Sequence, residues 1–208
     1  MAVLVGFLCV GYLRGYTVSG TTQTTSEFPI ANASLALFSD SAVFQTASNS
    51  AGKFTFEKVP PGAYELQAIV SGTKRTIQEL RVPDLSLNDI EVTLRFLMSE
   101  PAPLQALPRY EHLADPSVNQ LSGAILRSAN KPLSKVRVVL VNESTYERVL
   151  SRTDRHGNFV ATLPKPGRYT LTASHNGYSP AVVSHLWAVS GQSAHLIVQL
   201  DEVGAIFQ

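Results

Sequence analysis

The sequence predicts an all-β protein made of two tandem, seven-stranded β-sandwich domains. Three observations predict it. One pattern of glycines, prolines and aromatics occurs twice in the chain. Each copy divides into short runs whose apolar residues alternate with polar ones, the period of a half-buried strand. No stretch carries the repeat of a convincing amphipathic helix, although 85–89 suits a single turn and 103–113 a brief curl.

The repeat fixes the architecture. The run NSAGKFTF at 49–56 matches DRHGNFVA at 154–161, and PGAYEL at 61–66 matches PGRYTL at 166–171. An offset of 105 carries Gly52 to Gly157, Phe54 to Phe159, Gly62 to Gly167, Tyr64 to Tyr169 and Gly72 to Gly177 without a gap. Upstream the offset is 103, carrying Val18 to Leu121, Pro29 to Pro132 and Leu35 to Val138. The two-residue difference falls between residues 40 and 46, where a loop absorbs it.

The elements follow in order. In the first copy strands are expected at 16–20, 33–38, 43–47, 53–56, 64–70, 75–82 and 90–96. Phe54 and Phe56 share one face, and 64–70 (YELQAIV) alternates over its whole length. The second copy repeats the series at 120–127, 136–141, 147–152, 158–163, 169–174, 181–189 and 195–200. Seven short strands with turn residues between them are the signature of a sandwich.

The punctuation has local causes. Asn49 with Gly52, and Asp154 with Gly157, supply an Asx side chain and a glycine for a tight turn. Proline followed by Gly62 or Gly167 fixes one φ and then permits a positive one, turning the chain into the strand of Tyr64 or Tyr169. Residues 98–117 hold Pro101, Pro103, Pro108 and Pro116 and are expected to form a semi-stiff linker. The domains are therefore 16–97 and 118–201, with a short tail at 202–208. Residues 1–15 begin with an uncharged apolar run, too short to span a bilayer as a helix. Three readings stay open for it: a remnant of an export signal, an anchor remnant that contacts a membrane, or an extra strand that pairs with a neighbouring sheet.

Composition excludes several classes. Apolar residues make up 44% and charged residues 16%, which suits a folded chain and not a disordered one. Seventeen Lys and Arg are scattered among sixteen Asp and Glu, giving a net charge of +1 and no stripe for a phosphate backbone. Nucleic acid is not an expected partner. The single cysteine, Cys9, permits no disulfide within the chain.

The pattern Gly123, Pro132, Leu133, Val138, Leu140, Thr153, Asp154, Gly157, Phe159, Pro166, Gly167, Tyr169 and Leu171 resembles the carboxypeptidase regulatory-like family. The first copy departs in having Ser48-Asn49 where the second has Thr153-Asp154. The resemblance implies an Ig-like or prealbumin-like (transthyretin-like) sandwich in each copy, a fold sometimes grouped with carbohydrate-binding domains. It also implies a place on a secreted, periplasmic or cell-surface protein, as an accessory domain of an exported peptidase or outer-membrane receptor. A related class in pilins carries a Lys–Asn isopeptide crosslink. Neither copy offers a lysine in its first strand or an asparagine ending its last, so none is expected.

Chemical sites are few. His185 and His195 stand on successive strands and could face one another, but no third metal ligand lies at suitable spacing; His112, His156 and His175 sit in linker or turn. Asp154 is one carboxylate where calcium needs six to eight oxygens. Glu57, Glu65, Glu79 and Glu91 fall on separate strands with presumed solvent faces, and no nucleophile elbow or phosphate loop is present. No enzyme and no cofactor are expected. Gly52, Phe54, Gly62, Tyr64, Asp154, Gly157, Phe159, Gly167 and Tyr169 are assigned to turns and core. Trp187 with Tyr178 is the candidate platform for a sugar ring, set against Trp187 packing in a core or against the linker. The expected function is a non-catalytic structural, spacer or assembly module, with other protein subunits or cell-surface components as partners. The alternatives are a carbohydrate-binding module, with a polysaccharide partner, or a regulatory domain of a larger protein.

Overall fold

A computed structural model describes residues 15–70, 75–82, 90–96 and 106–203. The strands are β1 (Tyr16–Thr24), β2 (Ser34–Phe38), β3 (Val43–Ala47), β4 (Lys53–Val59), β5 (Gly62–Ile69), β6 (Thr76–Val82) and β7 (Ile90–Phe96) in the first half. The second half has β8 (Arg109–His112), β9 (Asn119–Arg127), β10 (Lys131–Pro132), β11 (Arg137–Asn142), β12 (Arg148–Arg152), β13 (Asn158–Leu163), β14 (Gly167–Ser174), β15 (Ala181–Ala188) and β16 (Gln192–Gln199). The N-terminal apolar run up to residue 14, the turn at 85–89 and the tail from 204 lie outside the described residues.

Both halves are the same sandwich. In the first, a sheet ordered β4-β1-β7 faces one ordered β3-β2-β5-β6. In the second, β9 sits between β13 and β16, facing β12-β11-β14-β15. The first strand of each copy runs parallel to its last, β1 with β7 and β9 with β16, and the other pairs are antiparallel. Registers coincide as well. Gly20 faces Phe54 and Gly123 faces Phe159, while Ser34 faces Ala47 and Arg137 faces Arg152. The fold is all-β, and the predicted strands of each copy are present.

Alternation in the sequence produces the two cores. Val18, Leu35, Leu37, Phe54, Phe56, Tyr64 and Leu66 fill the first; Leu121, Val138, Leu140, Phe159, Tyr169 and Leu171 fill the second. Burying each such side chain contributes roughly 1.5–3 kcal/mol.

The turn chemistry is equally local. Asn49 Oδ1 accepts the N–H groups of Ala51 and Lys53 at 2.9 and 3.0 Å. Asp154 Oδ1 accepts those of His156 and Asn158 at 2.8 and 2.9 Å. Gly52 and Gly157 take φ of 72° and 77°, and a Cβ on Gly157 would stand 2.8 Å from the carbonyl oxygen of Ile125. The Tyr64 hydroxyl donates to Pro60 O at 3.0 Å, and that of Tyr169 to Lys165 O at 2.9 Å.

Two expectations need correction. Gly167 has φ of 128°, but Gly62 is not among the positive-φ residues; a Cβ there would instead meet the Tyr64 ring at 3.3 Å. Residues 109–112, expected as linker with a brief curl, form β8. They pair antiparallel with β16, His112 opposite Gln192 and Arg109 opposite His195. An open sheet edge presents unpaired amides and carbonyls, and the chain arriving at the second half satisfies them. Among the described residues no helix is long and apolar enough to cross a membrane.

Candidate functional site

The outer face of the β3-β2-β5-β6 sheet is covered by the second half. Ala36, Phe38 and Ile69 are buried there against Leu107 and Val189, with Val43, Tyr110 and Trp187 packed around them. The Phe38 and Trp187 rings stack 4° from parallel with centroids 6.1 Å apart, and Tyr110 tilts onto Phe38 at 5.4 Å. The strand β5 therefore buries both of its faces, not one.

At the rim of this apolar patch lies Glu65, whose side chain is 5% exposed. Its Oε1 accepts hydrogen bonds from Gln67 Nε2 (2.5 Å) and Trp187 Nε1 (2.8 Å). Its Oε2 lies 3.2 Å from both Arg168 Nη1 and His185 Nδ1. Burial pushes the carboxyl pKa up, but the bonds from Gln67, Trp187 and His185 and the charge of His185 outweigh it. The carboxyl is held below its ordinary value of 4.5. Three of these four partners come from the other half of the chain. Sequence reasoning set Glu65 on a solvent face; the structure buries it.

The second half is shaped to meet it. Opposite β14, the strand β15 slips register between Tyr169 and Leu171, and His185 adopts φ of 53°. This is a β-bulge, which bends a strand and re-aims its groups. The His185 carbonyl accepts from Gln67 Nε2 at 2.7 Å, and the Ser184 carbonyl accepts from Arg75. The His185 amide donates to Glu143 Oε1 at 2.7 Å, while Glu143 Oε2 stands 3.9 Å from Arg168 Nε. Beyond the bulge, the Tyr110 hydroxyl donates to Trp187 O at 2.8 Å, and burial drives its pKa up. Gln45 Nε2 donates to Pro108 O at 2.9 Å, tying the end of the linker to β3.

Beside the joint is a cleft of about 590 Å³, lined among others by Phe38, Tyr64, Glu79, Arg81, Arg168 and Trp187. Tyr178 lies elsewhere. It forms a bridge with Glu202 and stands edge-on to His175, so it does not line this cleft with Trp187. His185 and His195 also part company. One meets Glu65; the other, on the opposite sheet, has Nδ1 3.3 Å from Ser122 Oγ. Among the described residues no group of three His, Cys, Asp or Glu is placed to hold a metal ion. The assigned turn and core residues lie in the two sandwiches as described above, and of these Tyr64 and Gly167 also line the cleft beside Glu65.

A sequence signal for the joint exists in the comparison of the copies. Glu65, Gln67 and Ile69 stand where the second copy has Thr170, Thr172 and Ser174. Ile69 breaks the alternation expected over 64–70, and an isoleucine on the supposedly wet face of β5 marks that face as covered.

The family described as carboxypeptidase regulatory-like domain matches the chain twice, over residues 17–95 and 120–201. No curated protein matches it. Among solved structures, the chain is similar to the minor pilin GBS52 of Streptococcus agalactiae at 13% identity and a TM-score of 0.36, over 91% of this chain and 97% of that one. The major pilin subunit BcpA of Bacillus cereus is similar at 10% identity and 0.35, over 90% and 99%. The TIE protein of Bacillus anthracis is similar at 16% and 0.34, over 91% of this chain, which spans only 34% of that protein.

Proposed function

The chain belongs to the carboxypeptidase regulatory-like domain family, once in each half, and from that premise we propose that it is a non-catalytic structural module whose two sandwiches are docked as one rigid unit. The observation that carries this is the buried Glu65, satisfied by partners from both halves. Opening such a joint would return the apolar patch of Ala36, Phe38 and Ile69 to water and give up the matched partners that make a buried carboxylate tolerable, so the closed arrangement is favoured over a flexible hinge. The module serves as a spacer or assembly element of a secreted or cell-envelope protein, with other protein subunits as partners. Its sandwiches are bounded at 16–97 and 118–201, and the linker 98–117 adds β8 to the edge of the second. Amide ¹⁵N relaxation tests the rigidity: one rotational correlation time is expected for both halves, becoming two in Phe38→Ala. Two independent times in the unaltered protein would remove the proposal.

A second reading has an observation of its own. The cleft beside the joint sets the half-buried Trp187 among arginine and carboxylate side chains, a mixture that suits a sugar ring. Arg81→Ala leaves the Glu65 contacts in place. Loss of polysaccharide binding in that variant, with relaxation unchanged, supports a carbohydrate site; no binding by the unaltered protein excludes it.

A further inference from the structure

At the other end of the second sandwich, away from the joint, lies a recess of about 430 Å³ lined by Lys135, Arg137, Arg152, Ser174, His175 and Asn176. No carboxylate lines it, and no ion pair engages Lys135, Arg137 or Arg152 among the described residues. Arg137 and Arg152 face one another directly across β11 and β12, and Ser174 faces Arg137 from β14. Like charges directly opposite in a sheet destabilise it. Lys135 sits at φ of 59°, a conformation that asparagine tolerates better than lysine.

The first copy serves as an internal control. At the positions equivalent by register and offset it has Ser34 opposite Ala47, Ile69 for Ser174, Val70 for His175, and Asn32 at φ of 56° for Lys135. The same sandwich is thus built without any of these cations. They bear local costs of charge repulsion and backbone strain, and an anion between them would relieve the repulsion.

We propose that this recess binds a tetrahedral oxyanion, phosphate or its ester, with Arg137 and Arg152 as the paired guanidinium forks and Lys135 as a third charge. Guanidinium groups present parallel donors to such oxygens, and Ser174 and Asn176 add neutral donors at the rim. The recess is larger than the ion alone, which leaves room for an ester substituent.

The experiment titrates the whole chain with inorganic phosphate, glycerol phosphate and acetate, followed by amide chemical shifts and melting temperature. Both phosphates are expected to shift residues 135–137, 152 and 174–176 saturably and to raise the melting temperature. The tighter of the two identifies a free or an esterified ligand. The double variant Arg137→Ser, Arg152→Ala, which copies the first half, is expected to melt no lower in phosphate-free buffer and to bind at least tenfold more weakly. Lys135→Asn is expected to bind several-fold more weakly. The proposal is overturned if neither phosphate gives saturable shifts, if acetate binds as tightly, or if the variants bind as well as the unaltered protein.

Discussion

The residues shared by the two copies act through hydrogen bonds that side-chain names conceal. Ser48 and Thr153 differ in the sequence pattern, yet their hydroxyls perform one task. Ser48 Oγ accepts from Ala33 N at 3.0 Å and donates to Ile30 O at 2.8 Å. Thr153 Oγ1 accepts from Val136 N and donates to Leu133 O, both at 2.8 Å. Each hydroxyl bridges two strand-connecting backbone groups out of reach of water. Thr153→Val keeps the shape and strands both groups, so about 1–3 kcal/mol of stability is expected to be lost, measured by urea unfolding. Ser48→Ala should behave alike. Glycine substitutions separate two causes in the same assay. Gly177 has φ of 84° with nothing within 4 Å of a Cβ, whereas Gly157 combines φ of 77° with a 2.8 Å approach to Ile125 O. Gly177→Ala is expected to cost on the order of 1 kcal/mol for the backbone alone, and Gly157→Ala clearly more. Equal losses would mean that the approach to Ile125 is relieved without cost. Turns of this kind were legible in the sequence because an Asx residue, a glycine and their backbone partners lie within five positions.

Elements were legible wherever their period was regular. The run from Ala181 to Ala188 buries Ala181, Val183, Leu186 and Ala188, a spacing that breaks the period of two between 183 and 186. That break is the bulge, visible in the sequence as Ser184-His185 between apolar residues. The strand β8 left no such mark, since Arg109-Tyr-Glu-His112 lacks alternating apolar residues and owes its existence to the open edge of β16. The bulge depends on Glu143, which holds the displaced His185 amide at 2.7 Å. Glu143→Leu leaves that N–H with no acceptor. Hydrogen exchange at His185 is expected to accelerate at least tenfold, with about 1–3 kcal/mol lost overall. Unchanged exchange at His185 would show that the bulge stands without its carboxylate.

At the scale of the whole molecule the sequence marks one face of the joint, through Ile69, but not what covers it. Its contacts join residues far apart in the chain, such as Glu65 to Trp187, and no local period encodes them. They make the docking of the halves depend on one ionised group. Glu65 has its pKa lowered by folding, so its contribution is complete above the ordinary 4.5 and is lost as pH falls through the lower, folded value. Arg168, His185, Arg75 and Glu143 surround it, and the cations left behind would then face one another without the carboxylate. Docking, read as a single correlation time, is expected to hold at neutral pH and fail progressively below about pH 4.5. Glu65→Gln removes the titrating group. It is expected to cost on the order of 2 kcal/mol at pH 7 and to flatten the acid limb of the stability curve. Asp154 and Asp115, also held below their ordinary values by hydrogen bonds from Asn158 and Ser117, remain in the variant. The difference between the two curves therefore isolates the joint. Parallel acid limbs would assign the loss to those turn carboxylates and leave the docking of the halves to Phe38, Tyr110 and Trp187.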